Sequence, residues 1–569
     1  MSDLPDLSKC TPDIFVSERR QYLNYFENYS NWSKVPLLNY GDVNVEHPQQ
    51  SLVRYRGMVQ NMRDTEIYYE YYEIQESPSA LLKTLCGKYR DIRIKKDDIF
   101  LPNSSKNLKS EREVIDLVPV PGLNHWVIKM EQEIMQKASS NSDENENKTS
   151  TNLVGTKKIK MENQNASDLK STSNLESTPD LENTPVLKKI NKLCTARIYD
   201  NTKDFKMRDI IDVIGFLSTI NNNAQGHIYI HVICYKILYH CNPLLDPTQL
   251  FINKRLRGRA PRSIQEGYNR LHEILTYVLF GDSLAAEYVI FNLISRYDES
   301  SKRYVQPTFN LNIVNFPSEE EMPNIKSYMK FLCNFLSTLV PNSCTVNLTN
   351  DELNSRTLVS KKDYETGCLI QGDLQLPNGT NLFINEVELE EIMIGATGVN
   401  NIFALKNMLN RYVIGYEFMF QKVYHDCDVP ALVFSKQKSI LRVANYIPLK
   451  INENMKKQFA ENLPDPNGML FEEALTSIRR FITMMKCSQF EFNPNIIEGF
   501  GYTVFNEMID FDIHELSTYL TVCKLYSISR GLKKMTRTSW AASRKLEEER
   551  RSRHSYVFMC RHSDAFHET

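Results

Sequence analysis

The sequence contains no long apolar run and no export signal. None of its 569 residues belongs to a stretch approaching the roughly 18 consecutive apolar residues of a membrane-spanning helix. The start, MSDLPDLSKCTPD, is polar and acidic, whereas a secretory signal has a basic start followed by an apolar core. We therefore predict a protein that is not secreted and has no membrane partner.

Closely spaced cysteine pairs are also absent. The twelve cysteines are scattered and form no C-x-x-C pair, which predicts reduced, mostly buried thiols in the cytosol or nucleus. The run HIYIHVICYKILYHC fits no common zinc module, so we interpret it as a buried strand leading into a helix and predict no metal ion. Its potential ligands are His227, His231, Cys234, His240 and Cys241.

The sequence has no excess of charge of either sign. Its 68 Lys and Arg residues face 70 Asp and Glu, and the formal net charge is -2. A nearly neutral chain has no global attraction to nucleic acid or membrane, so any such site must be local. The length predicts roughly three to four domains.

Aromatic residues are missing between Trp126 and Tyr199, although they make up 10% of the chain. This stretch is rich in Ser, Asn, Thr, Lys and Glu and cannot form a core, so we predict a disordered linker at 138–189. Within it, Thr178 and Thr184 precede prolines. They are candidate sites for a proline-directed kinase, or the Thr-Pro pairs simply mark turns.

The remaining sequence indicates a multi-domain protein of α+β and α/β type. A helical segment is predicted at 1–40. Strand-like runs on both sides of the linker, in 41–137 and 190–245, predict one OB-like β-barrel split by the insertion, since neither half has enough strands alone.

Alternating helices and strands at 263–450 predict a largely parallel sheet, and its first helix shows a capping box at Ser263 and Glu266. A helical, lid-like region follows at 455–555, and the tail at 556–569 has no assigned role. SRKLEEERRSR (543–553) is predicted to be an exposed helix with Glu–Arg pairs.

The α/β region resembles a nucleotide hydrolase that lacks its phosphate loop. The loop after the strand TFNLNIV has neither Gly nor Lys, and Glu319, Glu320 and Glu321 would repel a polyphosphate. GDLQLPNGTNLFINEVELEE predicts a β-hairpin whose second strand ends at Asn385 and Glu386, where a neutral amide replaces a magnesium-binding carboxylate. We predict a degenerate AAA+-like domain, no enzymatic activity and no cofactor.

Several stretches closely resemble the minichromosome maintenance (MCM) complex-binding protein family: LVRYRGMVQNMRDTEIYYEYYE, GKYRDI, VPVPG, LFGDSLAAEYVIFNLIS and KKDYETGCLIQGDLQLPNGT. The resemblance implies an OB-like part, an inactive AAA+-like part and binding to MCM helicase subunits as an alternative ring partner. It further implies a role in their assembly, nuclear supply or unloading from chromatin, a link to sister chromatid cohesion, and location in the nucleus, alone or shared with the cytoplasm.

Other interpretations remain open from the sequence, including a residual ATPase. An OB-type nucleic-acid-binding protein is the alternative, because basic residues interleave with aromatic ones at Arg54, Arg56, Arg63, Tyr55, Tyr68, Tyr69, Tyr71 and Tyr72. We expect direct DNA binding to be absent, given the charge balance.

KRLRGRAPR is a nuclear import signal, a phosphate-contacting loop or a solvated connector, and KKIK (157–160) is a second import candidate. The basic residues of the first are Lys254, Arg255, Arg257, Arg259 and Arg262.

Overall fold

A computed structural model of the chain describes fourteen stretches of the sequence. They are 5–39, 48, 50–76, 81–92, 98–146, 193–200, 205–218, 227–249, 262–297, 308–365, 369–389, 394–465, 468–491 and 513–564. Most of the predicted linker, from residue 147 to 189, lies outside the described residues, as does the part of the predicted tail after residue 564.

Two short helices open the described chain, with 3-10 turns at Leu7–Lys9 and Tyr29–Lys34 on either side. Helix α1 spans Pro12–Ser17 and α2 spans Arg19–Glu27. The Thr11 hydroxyl accepts a hydrogen bond from the Ile14 amide at 3.4 Å, as an N-cap residue followed by Pro does. The aromatic side chains of this segment pack on one face of the β-sheet that follows.

Five strands on both sides of residues 147–192 close into a ring. β1 pairs with β5 and β7, β7 pairs with β8, β8 with β6, and β6 with β5. β2, β3 and β4 extend the sheet beyond β5, and α3 (His125–Glu146) follows β5. The strands are β1 Leu52–Met62, β2 Glu66–Gln75, β3 Leu82–Cys86, β4 Ile99–Phe100, β5 Leu108–Pro119, β6 Cys194–Ile198, β7 Ile210–Leu217 and β8 Ile228–Leu238.

Apolar side chains fill the ring because alternate residues of each strand point inward. Val53 and Tyr55 of β1, Ile115 of β5, Ala196 of β6 and Val213 of β7 belong to this buried cluster. The strands before and after residues 147–192 therefore share one core.

The second half of the chain is built around a five-stranded parallel sheet. Its spatial order is β10-β13-β16-β9-β17, and all four pairings are parallel. Numbered by their order along the chain and read from the opposite edge, these strands run 5-1-4-3-2. They are β9 Leu311–Val314, β10 Ser343–Asn347, β13 Asn381–Asn385, β16 Ala431–Phe434 and β17 Asn445–Pro448.

A small second sheet and five helices surround this parallel sheet. The small sheet has the order β12-β11-β14-β15, with β11 Ser360–Lys362, β12 Leu369–Ile370, β14 Val413–Glu417 and β15 Lys422–Asp426. The helices are α4 Arg262–Val278, α5 Ser283–Ile294, α6 Ile325–Leu339, α7 Asn350–Ser355 and α8 Ala396–Arg411. We call this assembly, residues 262–450, the α/β unit.

The C-terminal helices pack against α4 and α5 of the α/β unit, and their apolar residues join the same core. They are α9 Glu453–Glu461, α10 Glu472–Lys486, α11 Ile513–Ser529 and α12 Arg537–Asp564. Among the described residues, none of these or the other helices combines the length and apolarity needed to cross a membrane.

We call the closed ring of β1, β5, β6, β8 and β7 the barrel. The segment that follows β5 connects it to the α/β unit at the amino end of the parallel sheet. The Ser343 amide, at the start of β10, donates to the Gly122 carbonyl at 2.8 Å. The Trp126 indole donates to the Val340 carbonyl at 3.0 Å, and the Arg479 guanidinium of α10 lies 4.1 Å from the Trp126 ring. The barrel is thus attached opposite the carboxyl ends of the strands.

The predicted β-hairpin at 372–391 is wrong. Only its second half is a strand, β13, and this strand pairs in parallel with β10 and β16. Asn378-Gly379 is typical of a two-residue hairpin turn, and Gly379 does have a positive φ of 83°. However, every residue of β13 is buried, as expected for a central strand covered on both faces.

The predicted exposure of the helix at 543–553 holds for Lys545, Glu548 and Glu549 but is wrong for the opposite face. Glu547 and Arg550 of α12 are buried and form an ion pair of 2.8 Å, and the Tyr288 hydroxyl donates to the Glu547 carboxylate. Arg553 pairs with the buried Asp282 at 2.6 Å. The i, i+3 charge pattern is present, but it faces the core.

Three element boundaries differ from the predictions. Helix α4 already includes Arg262, so Ser263 lies inside its first turn. Helix α3 continues to Glu146, nine residues into the predicted linker. Strand β8 ends at Leu238 and is followed by turns, without the helix that we expected there.

Candidate functional site

The carboxyl ends of the parallel strands meet at one edge of the α/β unit, where sheets of this kind bind ligands. The sequence predicted a degenerate nucleotide site here. The structure brings the two predicted parts to this edge, because the loop with Glu319, Glu320 and Glu321 follows β9 and the pair Asn385–Glu386 ends β13. We call this region the carboxyl edge.

The loop after β9 is bonded to its neighbours. The Asn315 amide donates to the Lys436 carbonyl at 3.2 Å, and the Phe316 amide donates to the Ser435 carbonyl at 3.3 Å. The Asn315 side chain donates to the Leu449 carbonyl at 3.0 Å. A phosphate-binding loop needs backbone N–H groups that point at the ligand, whereas these two N–H groups donate to the residues that directly follow β16.

The three glutamates after this loop are exposed. Glu319 pairs with Lys326 at 3.3 Å. The Ser318 amide donates to the Glu321 carboxylate at 2.9 Å, and the Glu321 amide donates to the Ser318 hydroxyl at 3.3 Å. The carboxylates therefore organise the turn before α6 and add negative charge where a polyphosphate would need positive charge.

Asn385 is buried and uses both ends of its amide. Its Nδ2 donates to the Glu388 carboxylate at 2.8 Å and to the Asn347 side-chain oxygen at 3.3 Å, while its Oδ1 accepts from the Val387 amide at 3.1 Å. Asn385 thus joins the ends of β10 and β13, with its amide nitrogen held against a carboxylate.

Glu386 is buried and connects β13 to the loop after β16. Its carboxylate accepts a hydrogen bond from the Ile440 amide at 2.8 Å. Burial raises the pKa of Glu386 above its usual value, and the hydrogen bonds from Ser439 and Ile440 offset this only in part. The contacts of Glu386 are those of a structural side chain.

The basic residues on which the nucleic-acid alternative depends form ion pairs within the fold. Arg54 and Arg56 of β1 are buried, and both pair with Asp212 of β7. Arg56 also contacts Glu131 of α3 at 2.6 Å. Arg63 contacts Asp116 at 2.8 Å. Arg54 and Arg56 are therefore not positioned to contact nucleic acid.

The tyrosines of that alternative are divided between the core and the surface. Tyr55, Tyr68 and Tyr72 are buried, whereas Tyr71 is 41% exposed and Tyr69 is partly buried. Strand alternation accounts for this division, and of the β2 tyrosines it leaves only Tyr69 and Tyr71 accessible.

The His and Cys residues considered as metal ligands have other partners. His231 contacts Asp91 at 3.1 Å and the Tyr199 hydroxyl at 2.6 Å, and His227 contacts the Thr195 hydroxyl at 2.8 Å. Burial raises the pKa of the Cys241 thiol to about 12. Among the residues that the structure describes, no group of three or more His, Cys, Asp or Glu could hold a metal ion.

The predicted regulatory residues are mostly outside the described part of the chain. This applies to Thr178, Thr184, Lys254, Arg255, Arg257 and Arg259, and to KKIK. Arg262 is exposed at the start of α4.

An exposed apolar turn between β14 and β15 was not predicted from the sequence. Strand β14 ends at Glu417, and the turn to β15 exposes Phe418 by 36%, Met419 by 62% and Phe420 by 94%. The Met419 amide donates to the Tyr364 hydroxyl at 3.0 Å. The sequence does indicate such a turn, because three bulky apolar residues directly precede the polar residues Gln421 and Lys422. We call residues 418–421 the apolar turn.

Comparison with known proteins identifies relatives along nearly the whole chain. The family described as mini-chromosome maintenance replisome factor matches residues 22–228 and 224–554. Similar proteins are named mini-chromosome maintenance complex-binding protein. The one from Drosophila melanogaster is 26% identical over 95% of this chain and 96% of its own length. Those from Danio rerio and Homo sapiens are 26% and 25% identical, over 91% and 96% of this chain and 90% and 94% of their own lengths.

Proposed function

The chain belongs to the mini-chromosome maintenance replisome factor family, and on this premise we propose that it binds MCM helicase subunits through its folded parts without acting as an enzyme. One observation carries the proposal: relatives named for binding the mini-chromosome maintenance complex align with nine-tenths or more of this chain and of their own lengths.

The strand orders support the finer assignment of both halves. The ring β1-β5-β6-β8-β7 is a five-stranded barrel, which is the size of an OB-fold. The order 5-1-4-3-2 of the parallel sheet agrees with an AAA+-like core. We propose that the α/β unit has the shape of an MCM ATPase domain and takes the place of one ring member.

The carboxyl edge supports a role without ATP turnover. The amides of Asn315 and Phe316 are bonded to neighbouring strands, and Asn385 and Glu386 are engaged in structural contacts. A subunit of this kind can cover its neighbour's edge without hydrolysing a nucleotide there. The proposed protein is therefore an escort of helicase subunits that assists their assembly, nuclear supply or unloading from chromatin, with a consequent effect on sister chromatid cohesion. Its proposed location is the nucleus, alone or shared with the cytoplasm.

The apolar turn is the contact that we propose for the MCM subunit. Aromatic residues dominate the energy of protein interfaces, and stable interfaces have an apolar centre. Phe420 and Met419 leave most of their apolar side chains exposed in the free chain, by 94% and 62%. A second exposed apolar pair, Leu81 (93%) and Leu82 (53%), lies at the barrel extension and gives a matched comparison.

The test is capture of purified MCM subunits by the full chain carrying either Met419→Asp with Phe420→Asp or Leu81→Asp with Leu82→Asp. We expect the first double variant to lose at least about tenfold in affinity, since burying unpaired carboxylates in an apolar contact costs more than 1.4 kcal/mol. The second should retain capture, and neither should change the melting temperature. The unmodified chain and its Glu386→Gln variant should show the same background rate of ATP hydrolysis.

If the Met419→Asp, Phe420→Asp variant still captures MCM subunits, the apolar turn is not part of the interface. If only the Leu81→Asp, Leu82→Asp variant loses capture, the contact lies at the barrel extension. ATP turnover by the unmodified chain that disappears with Glu386→Gln would contradict the non-enzymatic role. The nucleic-acid alternative has less support, because Arg54 and Arg56 are buried.

A further inference from the structure

A cavity of about 840 Å³ opens between the α/β unit and the C-terminal helices. Its walls come from α4, the start of α5, the chain just after β17, and helices α11 and α12. The volume falls within the range of about 300–1,000 Å³ that small-molecule sites occupy. None of the residues Glu319–Glu321, Asn385 and Glu386 lines it; the cavity lies instead beside the carboxyl end of the edge strand β17.

One wall is held by a network around Asp282. This buried carboxylate caps α5 by accepting from the Leu284 and Ala285 amides, each at 3.1 Å. It pairs with Arg553 of α12 at 2.6 Å, and Arg553 also contacts Glu549 at 3.2 Å. The charges of this wall are therefore fixed in position by one another.

The opposite wall is held around Arg530, the residue that directly follows α11. Its guanidinium lies 3.7 Å from the Tyr268 ring and 4.6 Å from the Tyr526 ring. It pairs with the buried Glu287 at 3.1 Å. Cation–π contacts and an ion pair together orient a planar group before any ligand arrives.

Two lysines at the cavity differ from these paired groups. Lys450, just after β17, and Lys545 of α12 line the cavity and are exposed. Within the described ranges, neither ammonium has an ion pair, whereas Arg530 and Arg553 both do. The Ser283 hydroxyl and the His272 ring, 3.3 Å apart, also line the cavity.

The charges of the cavity favour an anion. Four basic side chains (Lys450, Arg530, Lys545, Arg553) outnumber three acidic ones (Asp282, Glu287, Glu549) in the lining. Because both arginines are paired with acidic groups, the positive charges available to an anion are those of the two lysines. Lys ammonium groups bind phosphate as point charges with several donors. We propose that this cavity binds a phosphate monoester, either on a small molecule or on a phosphorylated peptide segment, through Lys450 and Lys545.

The proposal is tested by titration calorimetry of the full chain with inorganic phosphate in a low-chloride buffer. We expect saturable binding at one site, weakened about tenfold or more in the Lys450→Gln, Lys545→Gln double variant, which loses two charge-assisted contacts. The matched control is Lys129→Gln with Lys330→Gln, which removes two exposed lysines outside the cavity. This control should bind like the unmodified chain.

A phosphoserine peptide and its unphosphorylated form distinguish the sources of the phosphate. Tighter binding of the phosphopeptide than of inorganic phosphate, with competition between the two, assigns the site to a phosphorylated segment. Equal or weaker peptide binding assigns it to a small phosphorylated molecule. The absence of saturable phosphate binding, or equal weakening in both double variants with their melting temperatures unchanged, would overturn the proposal.

Discussion

At the scale of single residues, the buried carboxylate Asp212 determines how the barrel tolerates two buried arginines. Burial alone would raise the pKa of Asp212, but Arg54 and Arg56 outweigh it and hold the pKa below its usual value. The stabilisation from this pairing is therefore fully present above the ordinary aspartate pKa of about 3.9 and is lost as the pH falls through the lower value in the folded state.

We expect Asp212→Asn to lower the free energy of unfolding by about 3–5 kcal/mol at neutral pH, because it leaves two buried guanidinium groups without their shared counter-charge. Urea unfolding measures the change, and the loss relative to the unmodified chain should shrink below about pH 4. Glu320→Gln removes an exposed carboxylate and should change the free energy by less than about 0.5 kcal/mol. Equal effects of the two substitutions would contradict the assigned role.

This residue-scale pairing also shows what the sequence alone could not decide. Arg54 and Arg56 stand beside tyrosines in the sequence, which kept a nucleic-acid platform open as the alternative. Their partner Asp212 is 158 and 156 positions away and reaches them only because β1 pairs with β7. In contrast, the missing Gly and Lys after β9 could be detected from the sequence, because a phosphate loop is a local motif.

At the scale of elements, α12 buries its Glu547–Arg550 ion pair against the α/β unit, where the Tyr288 hydroxyl donates to Glu547. We expect Glu547→Ala to destabilise the chain by about 3 kcal/mol or more, since it removes the carboxylate that neutralises the buried Arg550 guanidinium. Replacing both residues by Met should recover much of that loss. Urea unfolding of the three proteins provides the comparison.

The control lies on the same helix, where the exposed Arg544–Glu548 pair has the same chemistry. Glu548→Ala should cost no more than about 1 kcal/mol. If the single Glu547→Ala and the double Met variants unfold alike, the cost comes from lost packing and not from an unpaired charge.

Helix α12 also shows that local sequence can predict a helix without predicting which of its faces is buried. The charge spacing at 543–553 correctly indicated a helix with i, i+3 pairs. Its orientation depended on Tyr288 and Asp282, which α5 brings to it from more than 250 positions away. Likewise, Asn378-Gly379 predicted a hairpin from local turn chemistry, but the parallel partners of β13 come from separate parts of the chain.

At the scale of the whole molecule, the two halves of the barrel are joined through strand pairing and not only through the chain. β5 and β6 pair directly from Glu113 with Ile198 to Leu117 with Cys194. The sequence correctly predicted that strands on both sides of the insertion belong together, because neither side has enough strands to close a sheet. Residues 147–192 carry no aromatic side chain, so little apolar area is available for them to add to a core.

The insertion at residues 147–192 should contribute little to the stability of the fold. Replacing residues 147–192 by a Gly-Ser linker of equal length should shift the melting temperature by less than about 4 °C, the effect of roughly 1 kcal/mol in a domain of 150–250 residues. Keeping the length avoids changing the loop-closure entropy of the barrel. Capture of MCM subunits by the same variant should equal that of the unmodified chain, because the proposed contact is the apolar turn. Loss of capture with an unchanged melting temperature would show recognition through a peptide in the insertion, and a lowered melting temperature would show that the insertion stabilises the fold.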